Sequence, residues 1–306
     1  MDIRQFQTMN ALIKNGFSVS KTAEKLFLVQ SAVSQQMIRL EQELGSDLFV
    51  RKGKRLTGLT ELGELVSEQA NISINAVKNI RHLADDFKQP SLGILRIGCT
   101  HTQARYILPP VIRVFNKTYP NIELQIHQGN PDQLVEWASN DQVDFSICTE
   151  SLAQSNKLES IACYRWNRCL ITLPDHPLQK IKKLTLKDLS EHPIITYVLG
   201  FTGRSHFNKS FARAEIQPNI VLSAADTDII KAYVLDGIGI GIIASMAYDP
   251  DQDKKWKQKD LSHLFPWETT RIAYLKNKYI RRYQQTFIDL FLQWIQQDKS
   301  DRFKAL

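Results

Sequence analysis

Apolar residues recur at helical spacing through the first ninety positions, then give way to short alternating or fully apolar runs. Ile3, Phe6, Met9 and Ile13 predict an opening helix that Gly16 ends. A two-turn helix follows, with Ser20 as its N-cap, Glu24 in its first turn and Ala23, Leu26 and Phe27 along one side. A third begins near Gln30 or Ser31, with Val33, Met37, Leu40 and Leu44 as its buried stripe and Gln30, Ser31, Ser34, Gln35 and Arg39 as its polar face. Ala23 lacks the bulk to hold two crossing helices apart, so the second helix can brace the third and turn that polar face outward. The pattern fits a helix-turn-helix whose Gln and Ser side chains reach base edges or phosphates in the major groove. It equally fits an ordinary helical hairpin with a solvated face.

From Thr60, the expected N-cap, Leu65, Ile72, Ala76, Ile80, Leu83 and Phe87 trace one stripe along a helix to about Lys88. Such a helix is unstable alone. Its stripe packs on its own chain or, antiparallel, on the same helix of a second copy, which would supply the two-fold axis that paired DNA half-sites require. Gln89-Pro90-Ser91 reads as a hinge. Beyond it, strands at 92–99, 122–127 and 143–148 alternate with helices at 107–118 and 131–139. A similar series places strands at 168–173, 194–197, 220–223 and 238–243, with helices from 185, at 205–214 and at 227–235. The strand at 271–275 and the helix at 281–297 have no lobe of their own and return to the first. The expectation is α/β, with parallel sheets covered on both faces. Two lobes, about 92–163 with 268–306 and about 164–267, are joined by crossings near 163–168 and 266–270, so that a cleft can close on a ligand.

At 306 residues and 43% apolar, the chain can bury the cores of two or three domains. Of the net charge of +7, residues 1–60 carry +4, from nine Lys or Arg against five Asp or Glu. Arg51-Lys52-Gly53-Lys54-Arg55, followed by Leu56-Thr57, reads as a basic wing that clamps a phosphate backbone beside the third helix. The start, MDIRQF, has no apolar core of a secretory signal, and the longest apolar run, 237–247, is too short for a bilayer; a cytoplasmic protein without membrane attachment is expected. Cys99, Cys148, Cys163 and Cys169 lack metal-ligand or CxxC spacing, so free thiols and no structural metal are expected. Asp175-His176 reads as a turn, and no GxSxG, HExxH, GxGxxG or P-loop points to an enzyme. Hydroxyls gather where strands end: Thr100-His101-Thr102-Gln103, Thr149-Glu150 and Gly200-Phe201-Thr202-Gly203-Arg204-Ser205. Each Thr taken singly fits a helix cap; facing one cleft, the three ends offer neutral donors and backbone N–H groups to a small oxyanion or carboxylate.

The order of AEKL, turn, Ala-Val-Ser, RLEQELG, Leu48-Phe49 with Arg51, and a basic LT segment resembles the N-terminal domain of LysR-type transcriptional regulators. Val29 and Ser31 stand where that family usually has Ser as the recognition-helix cap and then Pro; Val29 cannot cap, so capping by Ser31 and a later helix start are expected. Gln35 replaces a common cation. THTQARY at 100–106, HQG at 127–129, TE at 149–150, YRWNR with PDHPL at 164–178, GFTGRS at 200–205 and the run at 226–250 resemble the cysteine-regulon branch of the family. The resemblance implies a winged helix-turn-helix at 1–59, a linker helix and hinge at 60–91, and at 92–306 a two-lobed α/β effector domain like a type 2 periplasmic binding protein. It implies a homodimer or homotetramer that binds double-stranded promoter DNA through Gln30, Ser31, Ser34, Gln35, Arg39, Arg51, Lys52, Lys54 and Arg55, with RNA polymerase as a further partner. No cofactor is implied. Thr100, Thr102, Gln103, Thr149 and Thr202 match the positions that hold the family's effector, here acetylserine, sulfate, thiosulfate or adenosine phosphosulfate. A regulator of the same architecture answering to another small anion is the alternative. A solute-binding protein or enzyme would have no use for the first sixty residues.

Overall fold

The computed structural model describes residues 1–53, 55–149, 151–201, 203–297 and 303–305. Two compact units emerge, Met1–Lys88 with Asn277–Tyr279, and Gln89–Lys276 with Ile280–Leu306.

In the first unit, α1 (Ile3–Lys14) opens on a capping box between Asp2 and Gln5. Next, α2 (Val19–Leu26) is capped by Ser18 rather than Ser20: Gly16 and Phe17 both take positive φ, so the chain turns early and Ser18 meets the Lys21 N–H. Phe27 does not join the buried side of α2; it ends the helix in the left-handed conformation and is 96% exposed. The third helix, α3 (Gln30–Leu44), starts on Val29 with no side-chain cap, so Ser31 neither caps nor delays it. Val33, Met37 and Leu40 are buried as expected, but Leu44 is exposed and Glu41 is buried in its place. Strands β1 (Phe49–Lys52) and β2 (Arg55–Leu59) pair antiparallel, with Gly53 in the turn after β1. Phe49 and Leu56 pin this hairpin to the core of Met9, Leu12, Met37, Leu40 and Leu48. Thr60 caps α4 (Glu61–Lys88) through the Gly63 N–H at 3.0 Å, and Gly63 lets the helix approach Leu48 so closely that a Cβ would collide with its carbonyl.

Over its ~42 Å length, α4 buries Gly63, Ala70 and Ile74, and Asn71 accepts from Asn10 at 2.7 Å. Leu65, Ile72, Ile80, Leu83 and Phe87 of the expected stripe are half or more exposed, so packing on its own unit is not their role.

The second unit holds two mixed sheets. The first takes β3 (Gly93–Cys99), α5 (Leu108–Thr118), β4 (Ile122–Gln128), α6 (Pro131–Ser139), β5 (Phe145–Cys148) and β6 (Leu158–Trp166). The second takes β7 (Arg168–Thr172), α7 (Leu186–Ser190), β8 (Ile194–Tyr197), α8 (Arg204–Arg213), β9 (Ile220–Ala224), α9 (Thr227–Leu235), β10 (Ile240–Ala244) and β11 (Lys257–Asp260). The chain returns to the first with β12 (Glu268–Leu275), α10 (Arg282–Gln297) and β13 (Lys304–Ala305). The sheet orders are β13-β6-β12-β5-β3-β4 and β11-β7-β10-β8-β9.

All-parallel sheets were the expectation, and they do not form. Only β4-β3-β5 and β10-β8-β9 are parallel; β12 runs antiparallel to β5 and β6, and β7 to β10 and β11, because chain that crosses between the sheets re-enters in reverse. Adjacent residues of each central strand face opposite ways, Leu170, Ile194 and Ile242 toward α8, and Ile171, Ile195 and Ile243 toward α9. Crossings fall at Asn167 and just before Glu268. Among the described residues no helix is long and apolar enough to cross a membrane.

Candidate functional site

In the first unit, Gln30, Ser31, Gln35 and Arg39 are exposed along α3 and Ser34 is half-buried, and none of their side chains has a partner among the described residues. Gln36, one position on, is taken inward by the Thr8 hydroxyl at 2.5 Å, which holds α3 against α1. The helix therefore presents a row of unsatisfied amides, hydroxyls and one guanidinium, as base and phosphate recognition requires.

The wing divides into two kinds of cation. Arg51 is ion-paired with the buried Glu41, whose other oxygen accepts from the Leu48 and Phe49 amides at 2.9 and 3.2 Å. Its charge is spent inside the unit, so the expected phosphate clamp is reduced at that position. Lys52 and Arg55, register partners at the tip, are exposed and unpaired among the described residues. Lys54 lies outside the described residues.

In the second unit, Thr100, Thr102 and Gln103 follow the C-terminal end of β3 and Thr149 follows β5, where parallel strands leave backbone groups free. Thr100 is 6% exposed and its hydroxyl has no partner among the described residues. Thr102 is buried at 2% exposure; in the second sheet, the Tyr197 hydroxyl lies 2.7 Å from Thr227 Oγ1 and accepts from the Ala244 N–H at 3.1 Å. Gln103 opens a π-type turn into α5, its carbonyl accepting from the Leu108 N–H. The Gln103 side chain is engaged at both ends: Tyr164 donates to its Oε1 at 2.6 Å, and its Nε2 faces the Met246 sulfur at 3.9 Å.

Beyond it, the Thr270 hydroxyl lies 3.3 Å from the Thr149 hydroxyl, itself the acceptor of the Trp166 indole N–H at 3.0 Å. Two alternate residues of β6 thus reach the two strand ends with neutral groups, Tyr164 to Gln103 after β3 and Trp166 to Thr149 after β5. Burial pushes the Tyr197 hydroxyl up to about 12 and raises Tyr164 further, so these hydroxyls carry no charge of their own near neutrality. Thr202 lies outside the described residues. Gly203 beside it takes φ +69°, and a Cβ there would collide with the Arg168 guanidinium.

Tyr164, Trp166, Tyr197 and Thr270 were not singled out as site residues by sequence. YRWNR was conspicuous as a motif, but nothing in its spacing tells that alternate residues of β6 face the ends of β3 and β5.

Between α5 and α9 a groove of about 610 Å³ is lined by Arg105, Arg113, Lys231 and Trp256. Most of its charge is used internally: Lys231 pairs with Asp253 at 2.6 Å, and Asp228 accepts from Tyr106. The four cysteines are buried free thiols, and burial pushes Cys99, Cys163 and Cys169 up to about 12, which leaves them unreactive.

Family comparison decides what these two sites belong to. The model of bacterial regulatory helix-turn-helix proteins of the lysR family matches residues 3–64, and that of the LysR substrate binding domain matches residues 88–296. The chain belongs to the LysR family of transcriptional regulators. This regulator is similar to the HTH-type transcriptional regulator SsuR of Burkholderia cenocepacia, 40% identical over 291 residues that cover 95% of this chain and 94% of that one. It is also 40% identical to the HTH-type transcriptional regulator CysB of Haemophilus influenzae, over 95% of this chain and 90% of that one. Among solved structures, the cofactor-binding domain of the Cbl transcriptional regulator aligns with a TM-score of 0.62 at 37% identity, covering 65% of this chain and 87% of that chain. The regulator thus binds DNA through its first unit, and its second matches the LysR substrate binding domain.

Proposed function

We propose that this regulator controls sulfur-assimilation genes, and that a small anion held by Thr100, Thr102, Gln103, Thr149 and Thr202 sets its grip on the operator. The observation that carries the reading is Thr100, a residue only 6% exposed whose hydroxyl has no partner among the described residues, at a strand end where Gln103 is held by the neutral Tyr164 hydroxyl. Such a site suits acetylserine, sulfate, thiosulfate or adenosine phosphosulfate, because hydroxyls and N–H groups bind an oxyanion without a buried cation. The relatives named SsuR, CysB and Cbl support the sulfur assignment.

Thr100→Val keeps the shape and removes the donor. Affinity for the effector should fall about ten- to a hundredfold, the worth of a hydrogen bond to a charged group, while the fold is retained. Calorimetric titration of the purified protein with the four compounds reads this directly. Equal affinity of wild type and Thr100→Val would remove the site, and a heat seen only with an unrelated anion would move the assignment to another pathway. Because binding free energies are reciprocal, an effector that alters operator affinity must have its own affinity altered by operator to the same factor.

Assembly rests on the exposed stripe of α4, which buried against its copy would set two recognition helices about one axis. Ile80→Asp places a charge in that dry seam at a cost of several kcal/mol. Sedimentation should then report a monomer that no longer binds operator; a monomeric wild type at operator-binding concentration would rule the seam out.

A further inference from the structure

We propose that Val29 is a base-reading residue, whose methyl groups seat against the C5-methyl of a thymine in each operator half-site. The inference rests on α3 being the helix that enters the major groove.

Phe27, Leu28 and Val29 are 96%, 39% and 68% exposed, a run of apolar side chains held in water at the turn between α2 and α3. Val29 is the member on the reading helix itself. It occupies the N-cap of α3 with φ −82° and ψ 150° and makes no side-chain cap bond. Ser, Thr, Asn or Asp would satisfy a first-turn N–H there, and Val cannot. The position therefore sacrifices a cap and leaves an apolar surface in water, which makes physical sense where something apolar meets it.

Recognition helices bring their N-terminal residues to the base edges. Val29 directly precedes Gln30 and Ser31, both exposed and without partners among the described residues. The floor of the major groove offers donors and acceptors on every base pair but only one apolar group, the thymine methyl. Val presents two methyls from one strongly preferred rotamer, so little freedom is lost when they are buried. A thymine at the pair beneath Val29, next to the pair read by Gln30, follows from this order along the helix.

Deoxyuridine tests this, since it deletes the thymine methyl and nothing else. A DNA site enriched from random duplexes by the full-length protein is re-made with each thymine replaced singly. One thymine per half-site should lower wild-type affinity about three- to fivefold when replaced, the worth of one buried methyl. Val29→Ala, which loses the contact in both half-sites, should bind the thymine site more weakly by about the square of that factor, roughly ten- to twenty-fivefold, and be indifferent to deoxyuridine at that position. Its thermal melt should stay unchanged, because Val29 is exposed. Val29→Thr, which restores a capping hydroxyl and loses one methyl, should melt higher and show a smaller deoxyuridine penalty. A wild type with no deoxyuridine-sensitive position, or a Val29→Ala protein with the full wild-type penalty, overturns the proposal. If Gln30→Ala and Arg55→Ala also leave binding to the enriched site unchanged, the major-groove reading of α3 falls with it; if these weaken binding while the deoxyuridine scan is silent, the Val29 assignment alone is lost.

Discussion

Glu268→Ala should lower the melting temperature of the ligand-binding unit by roughly 6–20 °C, from a loss of about 3–5 kcal/mol. Both members of the Arg168–Glu268 pair are 3% exposed, and they meet at 2.8 Å where the chain crosses between the two sheets. The same Nη2 donates to the Gly203 carbonyl at 2.5 Å, and His206 Nδ1 lies 2.9 Å from both Glu268 oxygens. Removing the carboxylate leaves a guanidinium in a place water does not reach, next to Trp166 and Phe265. Breaking a buried pair is costly for this reason, whereas replacing both partners with apolar groups is often close to neutral. Arg168→Met combined with Glu268→Leu should therefore recover most of the loss. Urea or thermal unfolding of the full chain reads both, and a Glu268→Ala protein that melts like wild type would show that the pair does not hold the crossing.

Where local signals suffice, the sequence pattern and the fold agree. Helices Pro131–Ser139 and Thr227–Leu235 carry their own caps, Asn130 with Gln133 and Asp226, and begin and end as the pattern predicts. Non-local pairing accounts for what was missed. Lys257–Asp260, KQKD, has no apolar residue and is a strand only because β7 lies beside it; strand direction, likewise, is not written in strand spacing. The candidate ligand site was legible at the strand ends, because free backbone groups collect there in parallel sheets. Tyr164 and Trp166, which hydrogen-bond the two ends, were not, because β6 brings them from distant sequence. The same holds for α3: an apolar stripe predicts Leu44 inside, while the groups that make Glu41 the buried residue come seven to ten positions later.

Glu41→Ala should remove sequence-specific DNA binding, although Glu41 itself is buried within the first unit. Its carboxylate is 7% exposed and takes the Leu48 and Phe49 N–H groups as well as Arg51, so it fixes the first strand of the wing to the recognition helix. Two buried amides would be left unsatisfied, each at about 1–3 kcal/mol, and the wing would detach from α3. Glu41→Gln keeps the acceptor oxygen and should cost markedly less. The two kinds of wing cation then separate in a salt titration of operator binding. Lys52→Ala and Arg55→Ala, which remove unpaired charges, should each reduce the slope of log affinity against log salt by about one per bound copy. Arg51→Ala should weaken binding and lower the melting temperature of the first unit while leaving the slope nearly unchanged, because its charge already answers Glu41. A slope that drops by a full unit in Arg51→Ala would mean that Arg51 leaves Glu41 for the phosphate backbone when DNA binds. Glu41 would then be the residue that releases the wing rather than the one that secures it.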